Sequence, residues 1–329
     1  MPLNCARNSG NSIRCRGRGV LRDQFLRLAS ALCRAYLQFS PWTAGKRFIW
    51  DKVVRRYISW RILPIVATTK FGAKMHGAFP DAVHTYLYFF GVWEPGLTRL
   101  MEKHLRPGDS VIDIGANVGA HSMLAAHIVG KSGRVFAIEA SPTIFKKLNY
   151  NIKKSGFSQI TAINIAVTDK RGPVTVYLHA GHNLGGTSLI REQLDGPEQA
   201  TEMNVEGRPL PEIIPPEVIR TARLIKIDVE GAEWALLQGM RNFLETINEE
   251  CVILLEANSD ALRRFGVGIS DVLDMFGSAG WSSFQTKNSY NGDFYFRTPK
   301  CLFTAEVCKD ARMVDLGFCR PAMFRKLVG

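Results

Sequence analysis

Residues 110–122 read SVIDIGANVGAHS. A β-branched run ends at Asp113–Ile114 and gives way to a glycine-rich turn, after which a helical pattern begins. Gly115 permits a tight turn after a strand, and Gly119 lets the following helix approach that strand closely. Between them, at Ala116 and Asn117, backbone N–H groups are exposed at a helix start. The next run, RVFAIEA (134–140), ends at Glu139. A carboxylate at that place can accept two hydrogen bonds from a ribose diol. The dinucleotide fingerprint is GxGxxG, whose second glycine admits a pyrophosphate. Here that position is Asn117. The pattern DxGxxxG therefore points to a cofactor with an adenosine and no diphosphate. S-Adenosylmethionine fits: its ribose is free, and its ammonium group would suit the charge of Asp113.

Outward from this turn, short β-branched runs alternate with helical patterns. Gly119–Val129 reads as a helix. Pro142–Ser155 reads as another, with proline at its start and Gly156 just past its end. Further strands are expected at 160–166, 174–179, 224–229 and 251–257, and helices from about 232 and over 269–280. Ser282–Thr286 and Phe294–Arg297 read as closing strands. Such alternation implies an α/β fold with a mostly parallel twisted sheet, right-handed crossovers and helices on both faces. Ligands then bind beyond the carboxyl ends of the strands. A Gly- and Pro-rich stretch, about 180–216, interrupts the pattern as a candidate lid or substrate loop.

Five strings carry a family resemblance: GVWEPG (91–96), PGDSVIDIGANVGAHS (107–122), FAIEASP (136–142), NIAVTDKRGPVTVY (164–177) and IKIDVEGAEW (225–234). Over about residues 81–297 the chain resembles the FkbM family of class I S-adenosylmethionine-dependent methyltransferases. The resemblance implies a Rossmann-like fold. It implies that Asp113, Gly115, Asn117 and Gly119 line the methionine end of the cofactor and that Glu139 holds the ribose. Ala140 and Ser141 would border the adenine. Ala166 stands at the third strand end, where many class I enzymes carry an acid, so only backbone could meet the adenine there. Residues 1–80 inherit nothing from the resemblance.

At the reacting end, IKIDVEGAEW puts Asp228 at the end of the fourth strand and Glu230 in the turn. Glu233, at the helix start, suits capping. Glu256 ends the fifth strand. Asp228, Glu230 and Glu256 are expected to converge beside the transferable methyl, where the protein must align the nucleophile and accept a proton. His182, in HAGHNLGGTSL (179–189), is a further candidate base; the resemblance places a similar stretch near the acceptor. His121, Trp93 and Glu94 are read as packing or cofactor cover. No metal ligand set is fixed. The expected reaction is O-methylation of a hydroxyl on a small molecule, sugar or glycan.

The chain has 329 residues, 46% hydrophobic, with a net charge of +12. Its length excludes a disulfide-stapled miniprotein, and seven cysteines without a CxxC suggest unpaired buried thiols. No apolar run is long enough to span a membrane. The charge is lopsided: residues 1–75 hold 15 Lys/Arg against only Asp23 and Asp51. Residues 1–19 read as a disordered basic leader, 20–80 as a basic amphipathic helical extension and 81–329 as the methyltransferase domain. Leu21, Phe25, Leu28, Leu32, Tyr36 and Phe39 recur at helical spacing. Two readings are open: this stripe packs on the main domain and exposes arginines, or residues 20–75 contact an anionic membrane surface. The expected location is cytoplasmic, with or without that contact. Methylation of RNA and a non-catalytic membrane-bound role are the alternatives to a small acceptor. The neutral main domain and the absence of an NPPY-type string speak against nucleic acid.

Overall fold

The computed structural model describes residues 11–43, 45–178, 187–188, 201–297, 299 and 302–327; the side chains of 11–20 and 187–188 lie outside that description. The N-terminal unit comprises α1 (Asn11–Phe39), α2 (Lys46–Phe48) running into a wider-turned helix Ile49–Ile58, and α3 (Ala82–Phe90). Helix α1 begins inside the stretch expected as a disordered leader. The extension is also not wholly helical. β1 (Leu63–Thr68) and β2 (Lys74–Phe79) form an antiparallel hairpin with Leu63 opposite Phe79. Leu63, Ile65 and Ala67 are buried while Pro64 and Val66 are exposed, a two-residue period that a helix cannot satisfy. Leu37, Trp50, Val54 and Phe89 share one core with Val111 and Val135, so the extension and the main domain are packed as one body.

The stripe on α1 does not meet that core. Leu21, Phe25, Leu28 and Leu32 are 61–69% exposed. The helix packs instead through Leu26, Ser30, Cys33 and Leu37. Small Ser30 and Cys33 permit close approach, and the Ser30 hydroxyl returns its hydrogen bond to Leu26 O at 2.6 Å. Among the described residues, no helix is long and apolar enough to cross a membrane.

The main domain starts with α4 (Pro95–His104). Then come β3 (Ser110–Ile114), α5 (Ala120–Val129), β4 (Arg134–Ile138), α6 (Pro142–Ser155) and β5 (Ile160–Ile163). β6 (Ala166–Val167), β7 (Gly172–Leu178), β8 (Thr187–Ser188) and β9 (Thr201–Arg208) form a separate four-stranded sheet in the order β6-β9-β7-β8. β9 was expected within an irregular lid. It alternates instead, half-burying Met203 and Val205 against β7, while Gly207 lies so close to Val174 that a Cβ would fall 2.6 Å from its methyl.

β10 (Leu224–Ile227), β11 (Val252–Asn258), β12 (Ser282–Thr286), β13 (Phe303–Thr304) and β14 (Met313–Cys319) complete the large sheet. Its order is β13-β12-β14-β11-β10-β3-β4-β5. β3, β4, β5, β10 and β11 run parallel, and β14 lies antiparallel between β11 and β12. This is the Rossmann-like arrangement. The chain leaves β3 towards β4 on one side and returns to β10 on the other, so the switch point lies between β3 and β10. Phe294–Arg297, expected as a strand, belongs to a short helix, Gly292–Phe296, because Asn291 caps it by accepting from Asp293 N–H. Cys251 and Cys319 are buried, Cys33 is partly buried and Cys308 is exposed; all four are unpaired, so the expectation of buried thiols fails at Cys308.

Candidate active site

The turn after β3 is held by its neighbours. Gly115 and Ala116 N–H both donate to Ile138 O at 2.9 Å, and Asp228 N–H donates to Ile114 O at 3.0 Å. Gly115 has φ of 80°, and a Cβ there would sit 1.6 Å from Asp228 O. Only glycine allows this approach of the two strand ends. Gly119 caps α5 at φ 95°, with room for no side chain against Leu148.

Two hollows meet at this point. The first is a cleft lined by Gly115, Asn117, Glu139, Ala140, Ala166 and Glu230. The second, of about 400 Å³, is lined by Ala116, Tyr86, Trp93, Glu94, Glu256 and Tyr290. Gly115, Asn117, Asp228 and Glu230 border both. Glu94, Asn117 and Glu230 hold left-handed backbone at φ 45°, 51° and 36°. All three line the larger cavity, so backbone strain of about 1–3 kcal/mol each is concentrated there.

Glu139 is buried at the end of β4. Its Oε2 accepts from Asn117 N–H at 3.0 Å and its Oε1 from Ser141 N–H at 2.9 Å. Burial outweighs those bonds and pushes its carboxyl up to about 7. Ser141 itself lines neither hollow and caps α6 by accepting from Ile144 N–H. Asp113 also faces neither. It accepts from Ser122 Oγ at 2.5 Å and lies 3.7 Å from Lys226 Nζ, so the ammonium beside it belongs to this chain. Burial raises its pKa, with Lys226 opposing.

Lys226 is buried, and its Nζ donates to Asp228 Oδ2 at 2.9 Å. Burial favours the neutral amine, but Asp228, Asp113 and Glu94 outweigh it and keep the charge. Asp228 is 31% exposed into the hollows. Burial raises its pKa, yet Lys226 and a hydrogen bond from Glu256 overcome this and leave it low. Glu256 goes the other way: burial first, then the Asp228 charge, push it well up, so Glu256 carries the proton between them. Burial lifts Glu94 and Glu230 to about 8 and Asp315 to about 6. Glu94 accepts from Tyr290 Oη at 2.7 Å, and its Oε2 lies 3.5 Å from His121 Nε2. Burial holds His121 down at about 3, so it is neutral. Tyr290 stacks on Trp93, centroids 5.2 Å apart.

The three carboxylates read from the sequence thus converge, joined by Lys226, Tyr290 and Asp315, which the reading missed. Lys226 had a signal, as a lysine inside a four-residue buried strand. Asp315 lies on the unassigned β14, and Tyr290 sits in a polar loop without periodicity. Glu233 Oε1 accepts from Gly231 N–H at 2.9 Å at the helix start. His182 lies outside the described residues. Among the described residues, no His, Cys, Asp and Glu side chains are grouped to hold a metal ion.

The family model described as methyltransferase FkbM domain matches residues 113–283. Hexuronic acid methyltransferase AglP of Haloferax volcanii is 24% identical over 201 residues, covering 61% of this chain and 75% of that protein. The 31-O-demethyl-FK506 methyltransferase FkbM of Streptomyces tacrolimicus is 28% identical over 164 residues, 42% of this chain and 62% of that one. A protein-L-isoaspartate O-methyltransferase of Methanococcus aeolicus is 39% identical over 59 residues, and the chain spans only 27% of its length. Among solved structures, the methyltransferase FkbM of Methylobacillus flagellatus aligns with a TM-score of 0.37 at 15% identity, over 72% of this chain and 55% of that one.

Proposed function

Since the chain belongs to the FkbM methyltransferase family and is an S-adenosylmethionine-dependent methyltransferase, we propose that it methylates a hydroxyl of a sugar-like small molecule or glycan, with Asp228 as the proton acceptor. One observation carries the reading: Asp228 borders both hollows and accepts from Lys226 Nζ at 2.9 Å, which helps hold its pKa low while burial pushes Glu94, Glu230 and Glu256 up.

The smaller cleft suits the donor. Glu139 stands beside it as a buried carboxylate with remaining lone pairs and no cationic partner among the described residues, which fits a vicinal diol. Gly115, Asn117, Ala140 and Ala166 of this cleft, with Ala116 on the adjoining edge of the larger cavity, would hold the rest of the nucleoside and methionine through backbone and small surfaces. Asp113, Gly119 and Ser141 would act from behind, keeping the turn and Lys226 in place. The bound donor supplies an electrophilic methyl on a sulfonium. The larger cavity suits the acceptor. Its aromatic walls, Trp93, Tyr86 and Tyr290, offer flat faces, and Glu94, Glu230 and Glu256 offer polar edges to hydroxyls. Lys226 keeps Asp228 ionised. Asp228 takes the hydroxyl proton as the oxygen attacks, and the Glu256 proton stabilises the charge on Asp228 until then. The names of the hexuronic acid and FK506 methyltransferases, each acting on a hydroxylated molecule, point the same way.

Asp228→Asn tests this. Calorimetry should show donor affinity within a few-fold of the parent, while turnover on a panel of hexoses and uronic acids falls about 10²–10⁴-fold. Full turnover in that variant would remove Asp228 from the chemistry.

A further inference from the structure

We propose that the outer face of α1 is a docking surface for an anionic lipid bilayer, independent of which acceptor the site takes. At about 100° per residue, Leu21, Phe25, Leu28, Leu32 and Phe39 fall within roughly 60° of one another on the helix. All five are exposed, between 61% and 77%. The face that packs on the protein, through Leu26, Ser30, Cys33 and Leu37, lies on the opposite side. The helix is therefore apolar on two faces and the protein covers one. Trp42, 72% exposed, follows three residues after Phe39. An apolar row this long exceeds the scattered exposed residues of an ordinary surface.

Charge decides the occupant. Residues 1–75 carry 15 Lys/Arg against two acids. Lys52, Arg56 and Arg61 are exposed in the same N-terminal unit, and Arg22 flanks the stripe, 3.9 Å from Asp23. A second copy of this face would bring the same positive charge and repel. Nucleic acid would meet the arginines but would leave the leucines in water. An anionic bilayer accepts both: the leucines and phenylalanines enter the acyl boundary while the basic side chains stay among the headgroups.

α1 meets α3 directly, Gln38 Nε2 donating to Tyr88 O at 3.1 Å, and α3 in turn borders the larger cavity. Trp50, in the helix after α2, packs on Tyr86 and Phe90 of α3 with centroids 5.1 and 4.6 Å apart. Ala82, Val83 and Tyr86 of α3 line the cavity. Docking would thus fix the cavity's orientation relative to the bilayer.

Co-sedimentation of the full-length chain with phosphatidylserine–phosphatidylcholine vesicles tests the proposal. Binding is expected with phosphatidylserine and not with phosphatidylcholine alone, and it should weaken as salt rises. The variant Leu28→Gln with Leu32→Gln should bind on the order of tenfold more weakly. Its melting temperature and donor affinity should stay unchanged, because both side chains face water. Phe25→Ser should act in the same direction. The proposal would be overturned by no binding to anionic vesicles, by binding that the stripe variants leave intact, or by binding to an RNA oligonucleotide in place of vesicles. Self-association that the stripe variants abolish, without vesicle binding, would likewise reassign the face to a second copy of the chain.

Discussion

Lys226 sits in a strand, Leu224–Ile227, whose other side chains are aliphatic. Its Nζ is 2.9 Å from Asp228 and 3.7 Å from Asp113. Removing one partner of a buried ionic group leaves uncompensated charge, at a cost of about 3–5 kcal/mol. Lys226→Met is therefore expected to lower stability by about that much at pH 8, and by less at pH 5.5, where the orphaned carboxyls can take up protons. Urea unfolding at the two pH values reads the difference, and equal losses at both would mean that packing, not charge, is what Lys226 supplies. The same residue marks how far the site could be read from the chain. Glu139 and Asp228 were legible because they follow directly on β4 and β10, Glu230 because it sits in the turn after β10, and Glu256 because it lies near the end of β11; the carboxyl ends of strands in a parallel sheet face the ligand. Asp113 also ends a strand, yet it points beneath the turn to Lys226 and Ser122. Sequence position places a residue at the rim; side-chain direction depends on which partner the core offers.

At the scale of elements, α3 joins the N-terminal unit to the larger cavity, and Trp50 is its main support. The indole is fully buried and makes ring contacts with Tyr86, Phe89 and Phe90. Gly292 lies so close that a Cβ there would be 2.5 Å from the indole ring, so the helix Gly292–Phe296 is fitted against it. Trp50→Ala should cost about 3–5 kcal/mol of stability. Because Tyr86 lines the larger cavity, the acceptor KM should rise while donor affinity stays near the parent value. Steady-state kinetics with calorimetry separates the two, and a normal KM in a destabilised variant would confine Trp50 to packing. The βαβ core was legible because its strands are short β-branched runs bounded by glycine, and its helices have proline and glycine at their ends. The parts that were misread have a common cause. α1 carries two apolar faces, and periodicity selects the bulkier one, whereas close packing chose the face with Ser30 and Cys33. β1 and β9 alternate over only six and eight residues, and β14 alternates only at its start before four consecutive buried positions, Leu316–Cys319. Such runs signal a strand only when a neighbouring strand is known to receive them.

For the molecule as a whole, the rim of the site gathers buried acids around one buried lysine. Glu94 and Glu230 are pushed up to about 8, Glu139 and Glu233 to about 7, and Asp315 to about 6. Burial is the first cause in each case, and the charge of Asp228 adds to it in every one. In the unfolded chain these groups titrate near 4. Between about pH 4 and 8 the folded state therefore holds more protons, and stability must fall as pH rises through that window. Asp228 is shifted downward, so its contribution is lost only on acidification below the ordinary carboxylate range. The ligand-free chain should accordingly melt at a higher temperature at pH 6 than at pH 8.5, with a stability difference on the order of a few kcal/mol. A cationic ligand at this rim favours the ionised acids, so its binding should release protons and tighten as pH rises from 6 to 8. S-Adenosylmethionine carries the sulfonium charge and S-adenosylhomocysteine does not, which isolates the effect. Titration calorimetry in buffers of different ionisation enthalpy should show more proton release for the sulfonium than for the thioether, and the two affinities should diverge with increasing pH. Equal proton release for both ligands would mean that the raised acids do not face the sulfonium, and Glu230, which borders both hollows, would then serve the acceptor alone.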